Sequence, residues 1–232
     1  MKKRCIALLL FCVLSVTADV FTLWPVRHSK NGKGDAAAIL NGTFKQLLHK
    51  EKITVNGIAL EMEITQADIP FDALLARLKN SLGKQDFTAH GSTVRIGYPL
   101  SRDRVERWLL VRNGKDKTTV FHMISPAKLP PPEGWPQELP PLPAGAEVAQ
   151  TLKFPGRGGV LGTFRNAAGD RRMLLRQMTR HLEGDGWIAA GAEASVSDSG
   201  GDLFIRTRNG REIIWVAAGD DGSGSCYYRK SK

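Results

Sequence analysis

Hydrophobic and polar residues alternate in the first half of the chain in the manner of paired β-strands. The runs 53–55 and 58–64 are separated by Asn56-Gly57, and the second run places an apolar side chain at every other residue. An Asn-Gly pair between two such runs is a strong signal for a tight hairpin turn, because both residues tolerate a left-handed backbone. The pattern therefore predicts a β-hairpin.

A second strand pair is predicted from 147–154 and 160–165, around a glycine-rich loop. Each strand pair is followed by apolar residues at helical spacing. The first helix has Asp68 as its predicted N-cap and Pro70 in its first turn. Its apolar face consists of Phe71, Leu74, Leu75, Leu78 and Leu82, and Gly83 closes it.

The second helix is predicted from about Asp170 to Leu182, and its apolar positions lie 100 residues after those of the first. An aromatic residue follows each helix at the same distance, Phe87 in one case and Trp187 in the other. Further strand-like runs then match as 94–96 with 203–205 and as 107–111 with 211–215. Recurrence in the same order predicts a tandem duplication. The predicted fold class is α+β, with two small modules, each an antiparallel ββαβββ sheet with one helix packed on a face.

Proline is concentrated between these two halves. The stretch 126–143 holds eight of the 12 prolines of the chain. Because proline lacks a backbone N–H and fixes φ, this stretch predicts an extended spacer and not a central strand or helix. A ligand for a proline-recognising module is the alternative. Trp135 is expected to pack into one module, since a free linker gains nothing from an exposed indole.

The amino terminus has the pattern of a secretory signal peptide. Lys2, Lys3 and Arg4 precede an apolar stretch of about 12 residues, and cleavage is predicted after Ala18. This stretch is shorter than the roughly 20 residues that span a bilayer. The predicted location is the bacterial periplasm. An uncleaved inner-membrane anchor is the alternative, because 20–26 is also apolar.

Export changes both the cysteine count and the charge. Cleavage removes Cys5 and Cys12 and leaves Cys226, which is predicted to be a buried strand residue, with an intermolecular disulfide or a reactive thiol as the alternatives. The formal charge of +10 falls to +7, with 30 basic and 23 acidic residues. This excess is spread along the chain without interleaved exposed aromatic residues, so no nucleic-acid partner is predicted.

Candidate chemistry is sparse. The chain has five histidines, none at helical spacing from another, and neither H-E-x-x-H nor C-x-x-C occurs. We therefore predict no metal, no cofactor and no catalytic residue. His90 and His122 lie in related strand regions, and Glu61 and Glu63 alternate on one strand, but all four are interpreted as structural or solvent-exposed. The segment 222–226 is predicted to be a hairpin turn, because it lacks the G-x-S-x-G order of a nucleophile elbow.

One charge pattern stands out. Arg172, Arg176 and Arg180 recur every four residues on the second predicted helix, opposite its apolar face. Guanidinium groups suit phosphate and carboxylate groups, so this stripe is the candidate contact for an anionic partner or lipid surface. The alternative is the solvated face of an amphipathic helix.

The expected function is that of a non-enzymatic periplasmic protein that acts through contacts with another protein in a bacterial cell-envelope assembly. One alternative is a hydrolase on envelope polymers with its site between the modules, and another is binding of anionic lipid or polysaccharide by the arginine stripe. The predicted organisation is a signal peptide (1–18), an N-terminal extension (19–50), module one (51–125), the proline-rich linker (126–143) and module two (144–232).

Overall fold

The fold is that of a computed structural model. It describes residues 46–81, 87–90, 93–167, 169–190, 201–207 and 210–231. The signal peptide and most of the predicted N-terminal extension lie outside these residues, as do Leu82 and Gly83 at the end of the first predicted helix and the side chain of His90.

The described chain is an α+β structure of twelve strands and two helices. All strand pairs with a described register are antiparallel. In chain order the elements are β1 (Gln46–Val55), β2 (Ile58–Ala67), α1 (Phe71–Ser81), β3 (Phe87–His90), β4 (Thr93–Pro99), β5 (Arg104–Asn113), β6 (Lys117–Pro126), β7 (Glu147–Phe154), β8 (Gly159–Arg165), α2 (Arg171–Gly184), β9 (Ile188–Ala189), β10 (Gly201–Arg206), β11 (Glu212–Ala218) and β12 (Ser223–Lys230).

The strands follow one hydrogen-bonded order, β3-β4-β5-β6-β2-β1-β7-β8-β12-β11-β10-β9. Contacts divide the described chain into an amino-terminal unit, made of 46–52 and Leu60–Leu129, and a carboxy-terminal unit, made of Ile53–Ala59 and 130–231. Because a single order links all twelve strands, the division into two tandem modules remains a proposal.

In the amino-terminal unit, α1 covers part of one side of the sheet. Its apolar residues pack on β4, β5 and β6 in a core of Ala67, Ile69, Phe71, Leu74, Leu78, Val94, Ile96, Trp108, Leu110 and Val120. The helix is also held from β5, because Arg112 donates two hydrogen bonds to Asp72, at 2.8 and 2.6 Å. The first helical hydrogen bond runs from Leu74 N to Pro70 O, so Pro70 stands at the N-cap and not inside the first turn as predicted.

In the carboxy-terminal unit, α2 packs Leu174, Leu175, Met178 and Leu182 against the sheet. Asp170 caps this helix as predicted, since its carboxylate accepts a hydrogen bond from Met173 N at 2.9 Å. The core also contains Val160, Phe164, Trp187, Phe204, Ile214, Val216, Ala218 and Cys226. The helix and its cap therefore follow from local sequence.

The proline-rich stretch contributes to the same core. Leu139 is buried there, and Trp135 packs against it, with its ring 5.9 Å from that of Phe164 in an edge-on arrangement. Trp135 Nε1 donates to Pro140 O at 2.7 Å. A Cβ at Gly162 would lie 2.5 Å from the Trp135 ring, so the glycine provides room for the indole. The predicted packing of Trp135 is confirmed.

The tip of the β1–β2 hairpin belongs to the carboxy-terminal unit. Asn56 has a φ of 47° and Gly57 a φ of 83°, as the predicted tight turn requires. The Asn56 backbone donates to Thr151 O, its Oδ1 accepts from Thr151 N, and its Nδ2 donates to Pro130 O, each at 2.9 Å. The predicted hairpin is confirmed, and its turn residue also ties β1 to β7.

Two further sequence-based expectations were wrong in detail. Each helix is followed by four strands instead of three, because β3 and the two-residue β9 form where only an aromatic residue had been recognised. The segment 222–226 is not a turn throughout. The turn ends at Gly222, and Ser223 to Cys226 are buried residues of β12, because β8 and β11 pair with them on both sides.

Candidate functional site

A carboxylate–histidine cluster, formed by Lys50, Glu61, Glu63, Glu106 and His122, lies on the amino-terminal unit. Glu63 of β2 stands opposite His122 of β6, which stands opposite Trp108 of β5. Because alternate residues of a strand share a side, Glu106 lies on the same side of the sheet as Trp108. The cluster is therefore built by strand register.

His122 is held from both edges of its ring. Its Nε2 donates to Glu106 Oε1 at 2.8 Å, and its Nδ1 lies 3.8 Å from Glu63 Oε2. The imidazole stacks on Trp108, with ring centroids 3.9 Å apart and planes 19° from parallel. A carboxylate only accepts hydrogen bonds, so the contact with Glu106 places a proton on Nε2.

Lys50 closes the cluster on its exposed side. Its ammonium group lies 2.6 Å from Glu61 Oε1 and 2.9 Å from Glu63 Oε1. The hydrogen bond from Lys50 lowers the pKa of Glu63 below its usual value of 4.5, and the two carboxylates raise the pKa of Lys50. Glu61 and Glu63 were interpreted as solvated surface residues, and Glu61 is indeed exposed. Glu63, in contrast, takes part in the histidine contact.

A hydrogen-bonded histidine and carboxylate are the groups that general acid–base catalysis uses. The pairing of Glu106 with His122 was missed from sequence, because the two residues are 16 positions apart and meet only across two strands. Both ring nitrogens of His122 already face carboxylates, Glu106 at Nε2 and Glu63 at Nδ1. The hydrolase alternative therefore stays a prediction.

The carboxy-terminal unit carries a second polar cluster, around Glu212 of β11. Glu212 Oε2 accepts from Arg206 Nε and its Oε1 accepts from Tyr228 OH, both at 2.8 Å. Arg206 also lies over the Trp187 ring, 4.3 Å from its centroid. Burial raises the pKa of Glu212, but the hydrogen bonds from Arg206 and Tyr228 outweigh it, so the pKa is below 4.5. The cluster is internally satisfied.

The arginine stripe lies on the outer side of α2. Arg172, Arg176 and Arg180 are all exposed, opposite the buried leucines of the helix. Among the residues that the structure describes, no carboxylate forms an ion pair with any of the three. The guanidinium groups are therefore in the position that contact with an anionic surface requires.

An open sheet edge lies at β9. This strand pairs with β10 through Ile188 and Ala189, and Ala190 N donates to Leu203 O at 2.7 Å. Within the described part of the chain no strand covers its other side. Ile188 is 73% exposed, the largest exposure among the described large hydrophobic residues. Among the described residues, this outer edge of β9 is thus apolar and pairs with no strand.

Other candidate chemistry is not brought together. Cys226 is a buried free thiol, and burial raises its pKa well above 9.0. Within the described ranges, no group of three or more histidine, cysteine, aspartate or glutamate side chains is arranged to hold a metal ion. No helix in those ranges is both long and apolar enough to cross a membrane.

Comparison with known protein families, with curated proteins and with solved structures finds no match to this chain. The functional argument therefore rests on the geometry described above.

Proposed function

We propose that this protein is exported to the bacterial periplasm and acts there, without catalysis, by binding another protein of a cell-envelope assembly. The contact is made at β9, whose open edge accepts an extended segment of the partner as an added strand. The signal-peptide pattern of residues 1–18 supports export. The exposed edge supports the mode of binding.

The observation that carries this proposal is the exposure of Ile188 on β9, whose outer edge pairs with no strand among the described residues. Soluble proteins usually protect sheet edges with charged side chains, proline or a covering element, because an open edge recruits other strands. The two residues of β9, Ile188 and Ala189, are neither charged nor proline. A partner strand would hydrogen-bond to its free backbone groups and cover the isoleucine.

A proline at position 189 tests this directly. Ala190 N donates to β10, and in an antiparallel ladder alternate N–H groups point the same way. The N–H of Ala189 therefore points to the open edge. Ala189→Pro removes that donor without removing a bond to β10, which edge strands tolerate.

The experiment is a pull-down from the native envelope with the wild type, Ala189→Pro and the matched control Ala189→Ser. We expect a specific partner with the wild type and with Ala189→Ser, and its loss with Ala189→Pro. Recovery of no specific partner, or equal recovery with Ala189→Pro, would contradict the proposal. Circular dichroism of each variant establishes that the fold is retained.

We also infer that the two halves of the strand order, β1 to β6 and β7 to β12, arose by duplication, which the order of the strands supports. Each runs ββαββββ, and the orders β1-β2-β6-β5-β4-β3 and β7-β8-β12-β11-β10-β9 correspond strand for strand. In the first half, Ile96, Trp108 and His122 lie side by side on neighbouring strands. Phe204, Ile214 and Tyr228 lie side by side in the same way in the second half, and the two sets correspond in that order. Trp108 then corresponds to Ile214. The sequence alignment had matched Trp108 with Glu212, so the two alignments differ by two residues. A duplicated scaffold is in keeping with a binding role.

The arginine stripe favours a second candidate function, binding of anionic lipid or polysaccharide. Its three exposed guanidinium groups lack described acidic partners, so an anionic surface can pair with all of them. Replacing Arg172, Arg176 and Arg180 together by glutamine is expected to abolish binding to vesicles that contain anionic lipid. The control is Arg77→Gln with Lys79→Gln on α1, both exposed. Unchanged vesicle and polysaccharide binding by the triple variant would contradict this function.

A further inference from the structure

A buried arginine stands in the middle of β5, and no acidic residue in the described part of the chain pairs with it. Arg107 is 2% exposed, and its neighbours on the same side of the strand, Val105 and Leu109, are buried apolar residues. Across the sheet it lies opposite Met123 of β6 and Gly97 of β4, and the glycine brings no side chain to this position. Arginine is rarely buried so deeply unless an anion pairs with it.

The hydrogen bonds of Arg107 leave part of its guanidinium group unsatisfied. Nη1 donates to Ser125 Oγ and, at 3.4 Å, to Pro126 O. The hydroxyl of Ser125 itself donates to Pro126 O at 3.0 Å. Arg107 Nε is buried and has no hydrogen-bond partner among the residues that the structure describes. A buried charged group with an unmade hydrogen bond is a stability cost that a bound acceptor removes.

The electrostatic surroundings of Arg107 do not offset its positive charge. Burial lowers its pKa from 12.5 to about 10, and no carboxylate within the described ranges raises it. The side chain therefore keeps its positive charge at neutral pH. The described acceptors of this charge, a hydroxyl and a carbonyl, are both neutral.

We propose that Arg107 is the centre of a binding site for a small oxyanion, either a carboxylate or a phosphate. The planar guanidinium group binds two oxygens of such an anion at once, which satisfies Nε and neutralises the buried charge. Ser125 can turn its hydroxyl from Pro126 O to the anion and add a donor. This site differs from the arginine stripe, whose side chains are exposed, and it does not depend on the protein contact at β9.

Thermal unfolding of the full chain at constant ionic strength tests the site, with inorganic phosphate, acetate and chloride as the probes. Phosphate or acetate is expected to raise the unfolding temperature in a saturable manner, because a ligand of the folded state stabilises it. Chloride has no paired oxygens and should give no saturable rise. The phosphate and acetate arms decide which oxyanion class binds.

Arg107→Met replaces the charge by an apolar side chain of similar length and should abolish the saturable rise. Arg104→Met is the matched control, because Arg104 is an exposed residue of the same strand, and it should keep the rise. Arg107→Lys retains the charge without the planar fork and should need about tenfold more anion.

The proposal is overturned if the wild type shows no saturable response to phosphate or acetate, or if Arg107→Met responds equally. Should Arg107→Met fail to fold, an NMR measurement of the Arg107 Nε–H resonance in the wild type takes the place of that variant. The signal that is present in the wild type and absent in Arg107→Lys is assigned to this group. A shift on addition of phosphate or acetate supports the site, and an unmoved signal refutes it.

Discussion

At the scale of single residues, Asn56 joins local turn chemistry to a long-range contact. Its left-handed backbone is what the Asn-Gly pattern predicts. Its side chain also binds Thr151 and Pro130, residues far along the chain that no local pattern connects to it. One side chain therefore forms the turn and attaches it to β7.

Replacing Asn56 separates these two roles. Asn56→Gly keeps the backbone conformation and loses the side-chain hydrogen bonds, which should lower the free energy of unfolding by about 1–3 kcal/mol. Asn56→Ala also forces a Cβ into a left-handed conformation and should be about 1–2 kcal/mol less stable than Asn56→Gly. Urea unfolding measures both, with Asn80→Ala on the exposed side of α1 as the control. Equal stabilities for the two Asn56 variants would contradict the backbone argument.

Glu212 should make stability depend on pH. Its pKa is below 4.5 in the folded state, because hydrogen bonds from Arg206 and Tyr228 outweigh its burial. An acid whose folded pKa is lowered contributes stability above its unfolded pKa, and that contribution is lost as the pH falls through the folded pKa.

We therefore expect Glu212→Gln to be less stable than the wild type at pH 7 by about 1–3 kcal/mol. The difference should narrow as the pH is lowered from above 4.5. Urea unfolding at a series of pH values measures it, with the exposed Glu183→Gln as the control. A constant difference between wild type and variant across this range would rule out the assignment.

At the scale of elements, helices are better predicted than strand matches. The apolar spacing and the Asp170 cap placed α2 correctly, since both are local features. The alignment of 94–96 with 203–205 would match Ile96 with Ile205, whereas the core positions match Ile96 with Phe204. A shift of one residue moves every side chain to the other side of a strand, and only pairing with neighbouring strands sets it.

The two helix starts give a matched pair of variants. Asp170 accepts a hydrogen bond from Met173 N, whereas Asp68, the predicted cap of α1, accepts no described hydrogen bond. Asp170→Ala should lower the free energy of unfolding by about 1 kcal/mol, and Asp68→Ala should leave it nearly unchanged. Thermal or urea unfolding compares them. A larger loss for Asp68→Ala would show that the predicted cap forms after all.

At the scale of the whole molecule, the chain cannot be divided cleanly at the proline-rich stretch. The carboxy-terminal unit includes Ile53–Ala59, which lie far before that stretch in the sequence. A fragment that begins at residue 127 keeps α2 and its core but lacks the hydrogen bonds of Asn56. The backbone N–H and C=O of Thr151 then lose their partners.

We expect this fragment to be less stable than the same unit within the full chain by about 2 kcal/mol or more. Urea unfolding followed by tryptophan fluorescence gives the comparison, and the fragment contains Trp135, Trp187 and Trp215. A fragment that begins at residue 46 contains Asn56 and should regain the stability that the shorter fragment loses. A fragment from residue 127 that unfolds at the same urea concentration as the full chain would contradict this picture.

The sequence by itself determined the local features: the Asn-Gly hairpin, two amphipathic helices, the Asp170 cap and the α+β class. These depend on interactions between residues close in the chain. The tertiary structure alone decided that Asn56 binds β7, that Glu106 contacts His122, and that Arg107 is buried with no acidic partner among the described residues. Each of these contacts depends on strand register. Because register is set between segments far apart in sequence, local sequence patterns do not predict it.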